Sequence, residues 1–236
     1  MRVVKTVDEM QQASRECRMT GRKIAFVPTM GALHEGHLSL VETAKESADV
    51  VAVSIFVNPT QFAPNEDFES YPRDTERDLG ILQEMGVDFV FTPTAEEMYP
   101  DDHTFFVDEE KISKTLCGVS RPSHFRGVAT VCTKLLNIVL PDFLVVGMKD
   151  AQQAIILNRL IRNLHFPTEL VVAPTVRDED GLALSSRNKK LTESQRVEAL
   201  KIYQSLKTAK ELTEKGTTNT DRLIAEVTNR INSLRL

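Results

Sequence analysis

The chain has 236 residues, a formal net charge of −5 and 41% hydrophobic against 27% charged residues. This is the balance of a globular protein with a core of its own, and it permits one large α/β domain with a small companion. An acidic chain without a basic stripe excludes a phosphate-tracking nucleic-acid binder. The odd count of three cysteines, Cys17, Cys117 and Cys132, shares no metal-ligand spacing and reads as reduced thiols of a cytoplasmic protein.

The N-terminal "MRVVKTVDEMQQ" lacks the apolar centre of a secretion signal, and runs such as "VVAVSIFV" are far shorter than a membrane span. "KIAFVPTMG" reads as a first strand ended by Pro and Gly, followed by the helical pattern "HLSLVETAKESA". The second strand, "VVAVSIFVNP", is too continuously apolar for a sheet with one wet face, so both faces are expected to be covered. "DTERDLGILQEMG" predicts a helix capped by Asp74 and ended at Gly86, and "VDFVFTP" a third strand. "VATVCTKLLNIVL" predicts a helix, "DFLVVG" a strand, "DAQQAIILNRLIRNL" a helix with Ile156, Leu160 and Leu164 on one stripe, and "TELVVAPTV" the last strand.

Beyond Asn188, Thr192 and Gln195 have the spacing of a capping box at the start of a helix ended by Gly216. A final amphipathic helix would carry Leu223, Val227, Ile231 and Leu234 on one side. Alternating strands and helices imply a Rossmann-like, doubly wound parallel sheet over residues 1–175. A small, mostly helical domain is expected over residues 176–236.

Ligands of such sheets sit at the carboxyl ends of the strands. "PTMGALHEGH", "NPTQF", "GMKDAQQ" and "RDEDGLALSSRN" all follow predicted strands and so share one edge. His34 and His37 are spaced i, i+3 with no third ligand nearby, whereas a zinc-binding helix places two histidines at i, i+4. On a first helical turn, with free backbone N–H groups and the positive dipole end, they would make an anion site. The alternative is a solvated helix start with incidental histidines, which Gly31 and Gly36 weaken because they let a ligand approach the backbone. Lys149 can supply a point charge, Asp150 can accept from a ribose or a cation, and Gln153 can orient a hydroxyl or carboxylate. "LSSRN" suits a polyphosphate, Asn58 and Gln61 suit a polar substrate, and Arg121, His124 and Arg126 stand before a helix as part of a cover.

No Walker A sequence and no GxGxxG occurs. "PTMGALHEGH" resembles the HxGH signature of the nucleotidyltransferase and class I synthetase-like superfamily, with "LSSRN" in place of its KMSKS-type loop. More narrowly, "FVPTMGALHEGHLSLV", "SIFVNPTQFAPNEDFESYPR", "HFRGVATVCTKLLNIVLPD", "GMKDAQQ" and "VRDEDGLALSSRN" resemble, in order, the pantothenate synthetase (pantoate–β-alanine ligase) family over most of residues 23–190.

The resemblance implies condensation of pantoate with β-alanine through a pantoyl adenylate, with ATP as substrate and Mg²⁺ accompanying it. It places Met30, Gly31, Ala32, Leu33, His34, Glu35, Gly36 and His37 around ATP, with Gly147, Met148, Lys149 and Asp150 holding the nucleotide. Val176 and the run Leu184, Ser185, Ser186, Arg187 would complete the ATP site. His37 is the implied proton donor, with His34, Lys149 and Arg187 stabilising charge. Gln61 and Gln153 would hold pantoate, Gln61 also lying near β-alanine, and Asn58 would meet a phosphate or carboxylate. The Mg²⁺ ligands stay unassigned, Asp78 being one candidate. Met148 stands where the family carries a polar Glu or Gln, and Ser123 replaces a glycine. Family members run on for several tens of residues with a small sheet, so the second domain is expected to be shortened here. A homodimer without nucleic-acid or membrane partners is the implied assembly.

Overall fold

The computed structural model describes residues 1–232. The chain divides into two compact units, Met1–Pro174 and one that begins at Thr175.

The first unit is built on six parallel strands: β1 (Arg2–Val4), β2 (Ile24–Thr29), β3 (Val50–Ile55), β4 (Phe89–Phe91), β5 (Phe143–Gly147) and β6 (Glu169–Ala173). Their order across the sheet is β1-β4-β3-β2-β5-β6. The helices between them are α1 (Val7–Met19), α2 (Glu35–Ser47), α3 (Thr75–Glu84), the short α4 (Ala95–Met98) and α5 (Cys117–Ser120), α6 (His124–Val139) and α7 (Ala151–Asn163).

Alternation along each strand sends side chains to two separate cores. Ile24 and Phe26 join Met10, Leu136 and Leu157 on one face, while Ala25 and Val27 join Leu40, Val41 and Leu82 on the other. That double burial is why β2 and β3 read as unbroken apolar runs, and it confirms the doubly covered parallel sheet. Asp74 caps α3 as expected, its side chain accepting from the Arg77 N–H. Two elements were not anticipated. Strand β1 is only three residues long with Val4 alone buried, and α1 buries a face made largely of small or polar side chains, Ala13, Ser14 and Cys17 beside Met10.

The chain winds outward in one direction from β2 through β3 and β4, then crosses to the other side at β5. The topological switch point therefore lies between β2 and β5. These strands pair only at Ala25–Phe143 and Phe26–Leu144, whereas β2 stays paired with β3 as far as Thr29–Ile55. Pro28 has no N–H with which to extend a ladder, and beyond Phe26 the β2–β5 pairing is lost. The resulting crevice is where such sheets bind ligands.

The second unit holds α8 (Glu193–Glu214) and α9 (Thr220–Asn232). Thr192 and Gln195 form the expected capping box. Leu223, Val227 and Ile231 lie on α9, while Leu234 falls outside the described residues. No described helix is long and apolar enough to cross a membrane.

Candidate active site

After β2 the backbone turns sharply, with positive φ at both Gly31 (77°) and Ala32 (51°). Two side chains outside the motif hold this turn. Thr29 Oγ1 accepts the Gly31 N–H at 3.2 Å and donates to the Ser54 carbonyl at 2.7 Å. Asp78 on α3, fully buried, accepts the Ala32 and Leu33 N–H groups at 2.7 and 2.9 Å with its two oxygens. Its neighbour Arg77 donates to the Leu33 carbonyl at 3.1 Å. Asp78 is thus committed to the loop on both oxygens, and its environment does not fit a Mg²⁺ ligand. Among the described residues no group of three or more His, Cys, Asp or Glu side chains could hold a metal ion.

His34 is the N-cap of α2, and the two histidines close a reciprocal capping box. His34 Nδ1 accepts the Gly36 N–H at 3.1 Å, and His37 Nδ1 accepts the His34 N–H at 3.3 Å. The His37 N–H itself turns back to the His34 carbonyl at 2.7 Å. The expectation of free backbone N–H groups is therefore corrected: those of Gly31, Ala32, Leu33, His34, Gly36 and His37 are all taken within the protein. What the motif offers an anion is imidazole. An Nδ1 that accepts leaves the ring proton on Nε2, so each neutral ring carries its N–H donor on the side away from the backbone.

The rings lie 4.1 Å apart. Burial, then the neighbouring His34, then the Lys149 charge lower the His37 pKa to about 3, so the ring is neutral near pH 7. The influence of Lys149 brings the motif after β5 to the same place. Gly147 ends β5, and Met148–Asp150 form a 3₁₀ turn leading into α7. Lys149 pairs with Asp150 at 3.4 Å on an exposed edge. Met148, where the family resemblance leads one to expect a polar residue, is 51% exposed. Ser123 adopts φ −92° and ψ −11°, which needs no glycine.

"NPTQF" forms a 3₁₀ turn, Pro59–Gln61, after β3. Asn58 is buried and saturated. Its oxygen accepts from the Thr60 N–H and hydroxyl and from Tyr99, and its amide donates to Gln61 Oε1 at 2.9 Å and the Gly127 carbonyl at 3.2 Å. It serves as an internal anchor rather than a group facing a ligand. The Gln61 carbonyl meets Arg121 at 3.3 Å and His124 Nδ1 at 3.0 Å, and Arg121 is clamped in a bidentate pair with Glu66 at 2.5 and 2.6 Å. Burial is the largest influence lowering the His124 pKa. Arg126 lies instead over the Phe106 ring, 4.2 Å from its centroid.

On α7, Gln153 is half-buried and makes no side-chain hydrogen bond among the described residues. Its neighbour Gln152, missed by sequence reasoning, is buried. It accepts from Cys117 N–H at 3.0 Å and donates to the Ile112 and Thr115 carbonyls at 2.9 and 2.7 Å, tying down the segment before α5. Sequence reasoning also passed over Tyr99 and Glu66. Neither stands at a strand end, and only tertiary contacts bring them to Asn58 and Arg121.

The second unit carries the remaining expected residues. The Leu184 N–H donates to the Val176 carbonyl at 3.1 Å, and Arg177 bridges to Ala183, so residues 176–184 form a closed excursion. Arg196 holds it by ion pairs to Asp178 at 2.6 Å and Asp180 at 2.7 Å. Ser185 caps the 3₁₀ turn Ser186–Lys190 by accepting the Arg187 N–H at 3.2 Å.

A six-stranded parallel sheet with two imidazoles and a lysine charge near its switch point defines a doubly wound α/β protein. A family model described as pantoate–β-alanine ligase matches residues 2–236, and the chain belongs to that family of ligases. It is 57% identical over 216 residues to pantothenate synthetase of Thermosipho africanus, covering 92% of this chain and 78% of that one. Against the Thermotoga neapolitana synthetase it is 58% identical over 212 residues, covering 90% and 76%. The crystal structure of pantothenate synthetase from Thermus thermophilus superposes with a TM-score of 0.92 at 42% identity, covering 100% of this chain and 83% of that one. The Francisella tularensis ligase complexed with β-γ ATP and β-alanine superposes with a TM-score of 0.84 at 40% identity, covering 99% and 86%.

Proposed function

We propose that the chain joins pantoate to β-alanine at the cost of ATP, through a pantoyl adenylate, and so makes pantothenate. The observation that carries this reading is the reciprocal histidine cap, which aims two neutral Nε2–H donors from the switch point within reach of the Lys149 charge.

The pantoate carboxylate attacks the α-phosphorus of ATP and pyrophosphate leaves. The β-alanine amine then attacks the activated carbonyl carbon and AMP departs with the oxygen. No protein nucleophile is needed. The work of the site is to position the reactants and to receive the charge that moves onto pyrophosphate. His34, His37 and Lys149 supply donors and positive charge to the phosphates. A polyphosphate beside His37 favours its charged form and offsets the burial that lowers its pKa, so one group serves as neutral donor at rest and as proton donor once ATP is bound. Met30–His37 and Gly147–Asp150 hold the nucleotide, while Gln61 and Gln153 hold pantoate. Mg²⁺ enters with ATP as part of the substrate, held by the phosphates.

The enzyme works in the cytoplasm as a homodimer, a reading that light scattering of the purified chain tests directly. The activity is tested by AMP release with ATP, Mg²⁺, D-pantoate and β-alanine, each omitted in turn. AMP is expected only with the complete mixture. AMP formed without β-alanine at the same rate, or none from the full mixture, overturns the assignment.

A further inference from the structure

The Pro59–Gln61 turn contains a chain of side-chain amides whose direction is fixed from one end. Asn58 Oδ1 accepts three hydrogen bonds, from the Tyr99 hydroxyl at 2.8 Å, the Thr60 hydroxyl at 3.0 Å and the Thr60 N–H at 3.3 Å. Its Nδ2 gives one hydrogen to the Gly127 carbonyl and the other to Gln61 Oε1. A reversed Asn58 amide would set NH₂ against the Thr60 N–H and oxygen against the Gly127 carbonyl, and neither backbone group can change sign. With Asn58 only 1% exposed, no water is at hand to repair such a mismatch.

The consequence passes to Gln61. Its Oε1 is occupied by the Asn58 amide, so the group left to face a ligand is Nε2H₂, a donor. The polarity of the Gln61 amide is set by the Thr60 N–H and the Gly127 carbonyl through Asn58. We infer that the Tyr99 and Thr60 side chains are positioning residues that hold Asn58 in that orientation and so keep the Gln61 Nε2H₂ turned toward a substrate oxygen, such as a carboxylate or hydroxyl. The naming of pantoate as that substrate rests on the proposed function; the polarity itself does not.

Tyr99 is suited to the part. Its ring packs against Phe56 at 6.3 Å and edge-on to His103 at 5.0 Å, with Lys134 above it at 5.2 Å. Burial pushes the phenol pKa up to about 12, so Tyr99 remains a donor at any working pH. Its backbone is pinned as well, the Tyr99 N–H closing the last turn of α4 on Ala95 at 2.7 Å.

The test uses the full chain carrying Thr60→Val and Tyr99→Phe together, with Tyr99→Phe alone as the milder variant should the pair impair folding. In the ligand-free protein, ¹⁵N spectra resolve the side-chain amides, the Gln61 signal being assigned by its loss in Gln61→Glu. The wild-type Gln61 NH₂ is expected to exchange rapidly with water and that of Asn58 slowly. In the double variant the Gln61 exchange slows, as part of the population turns its NH₂ inward, and the Asn58 exchange quickens. The KM for pantoate rises about tenfold, the scale of one hydrogen bond lost to a charged group, while the KM for ATP stays within about twofold. A variant that melts like wild type with unchanged Gln61 exchange and unchanged pantoate KM overturns the inference, as does an equal rise in both KM values. A wild type that shows the exchange pattern without turning over pantoate supports the relay and overturns the ligase reading instead.

Discussion

His34 and His37 cap one helix for each other: each imidazole Nδ1 takes a backbone N–H at the start of α2, and the rings stand 4.1 Å apart. An imidazole whose Nδ1 accepts carries its proton on Nε2, so the nitrogen that satisfies the helix start is not the one proposed to serve the phosphates. His37→Ala separates the two roles. Turnover should fall by about 10²–10³-fold, the scale for removing one transition-state donor. The midpoint of unfolding should change only by the loss of a cap, about 1 kcal/mol. Steady-state rates of AMP release beside a urea titration check both, and wild-type turnover in the variant would refute the role.

The depressed His37 pKa has a thermodynamic consequence of definite sign. An unfolded histidine titrates near 6.5, whereas folding holds His37 near 3. Above pH 6.5 the ring is neutral in both states and the folded chain keeps its full stability. As the pH falls from 6.5 toward 3, the unfolded state binds a proton that the folded state refuses, and stability is lost at a slope of at most about 1.4 kcal/mol per pH unit. Denaturant midpoints measured across that window should decline, and less steeply in His37→Asn. A variant with the wild-type slope would show that His37 titrates normally in the fold.

Asp78 and the Ala32–Leu33 backbone form the second support of the site. Asp78→Asn keeps the shape but can accept only one of the two N–H groups, and it turns its own NH₂ toward the other. A loss of about 3 kcal/mol is expected, the scale of a hydrogen bond to a buried charged group. The loop that carries both histidines then relaxes from its positive-φ turn, so the KM for ATP should rise along with the loss of stability. Removing Mg²⁺ from the assay should affect Asp78→Asn and wild type to the same factor, because the carboxylate serves the loop and not the ion. A selective loss of Mg²⁺ response in the variant would return Asp78 to the metal.

The fold was legible because both faces of β2 and β3 are buried, which writes itself as an unbroken apolar run flanked by turn residues. Strand β1 was not, since three residues with one buried side chain carry no period. At the site, the strand-end positions pointed to His34, His37, Lys149 and Gln61 as one edge. What sequence could not supply was the identity of the partners. The carboxylate that takes the loop N–H groups comes from α3, 45 and 46 residues onward, and the hydroxyl that sets Asn58 comes from 41 residues onward. Such pairings are made by packing, so local spacing read the α2 N-terminus as open when its own histidines had closed it.

Two glycine substitutions should act in opposite directions and so test how closely α6 is pressed on the Pro59–Gln61 turn. A Cβ added at Gly127 would stand 2.2 Å from the Thr60 carbonyl oxygen and 2.8 Å from the Gln61 nitrogen. Both are backbone atoms in a turn already fixed by Asn58, so neither can swing aside. Gly127→Ala should therefore cost about 1–3 kcal/mol as an overpacked contact. It should also raise the KM for pantoate by moving Gln61. Gly80 lies inside α3 with nothing within 4 Å of the position a Cβ would take. There alanine replaces the less favourable helix former in open space, and Gly80→Ala should stabilise the chain by about 0.5–1 kcal/mol with unchanged kinetics. Thermal melting and pantoate titrations of the two variants check the pair. A Gly127→Ala protein that melts and binds like wild type would mean that α6 does not bear on the turn, and that Gln61 is held by its side-chain bonds alone.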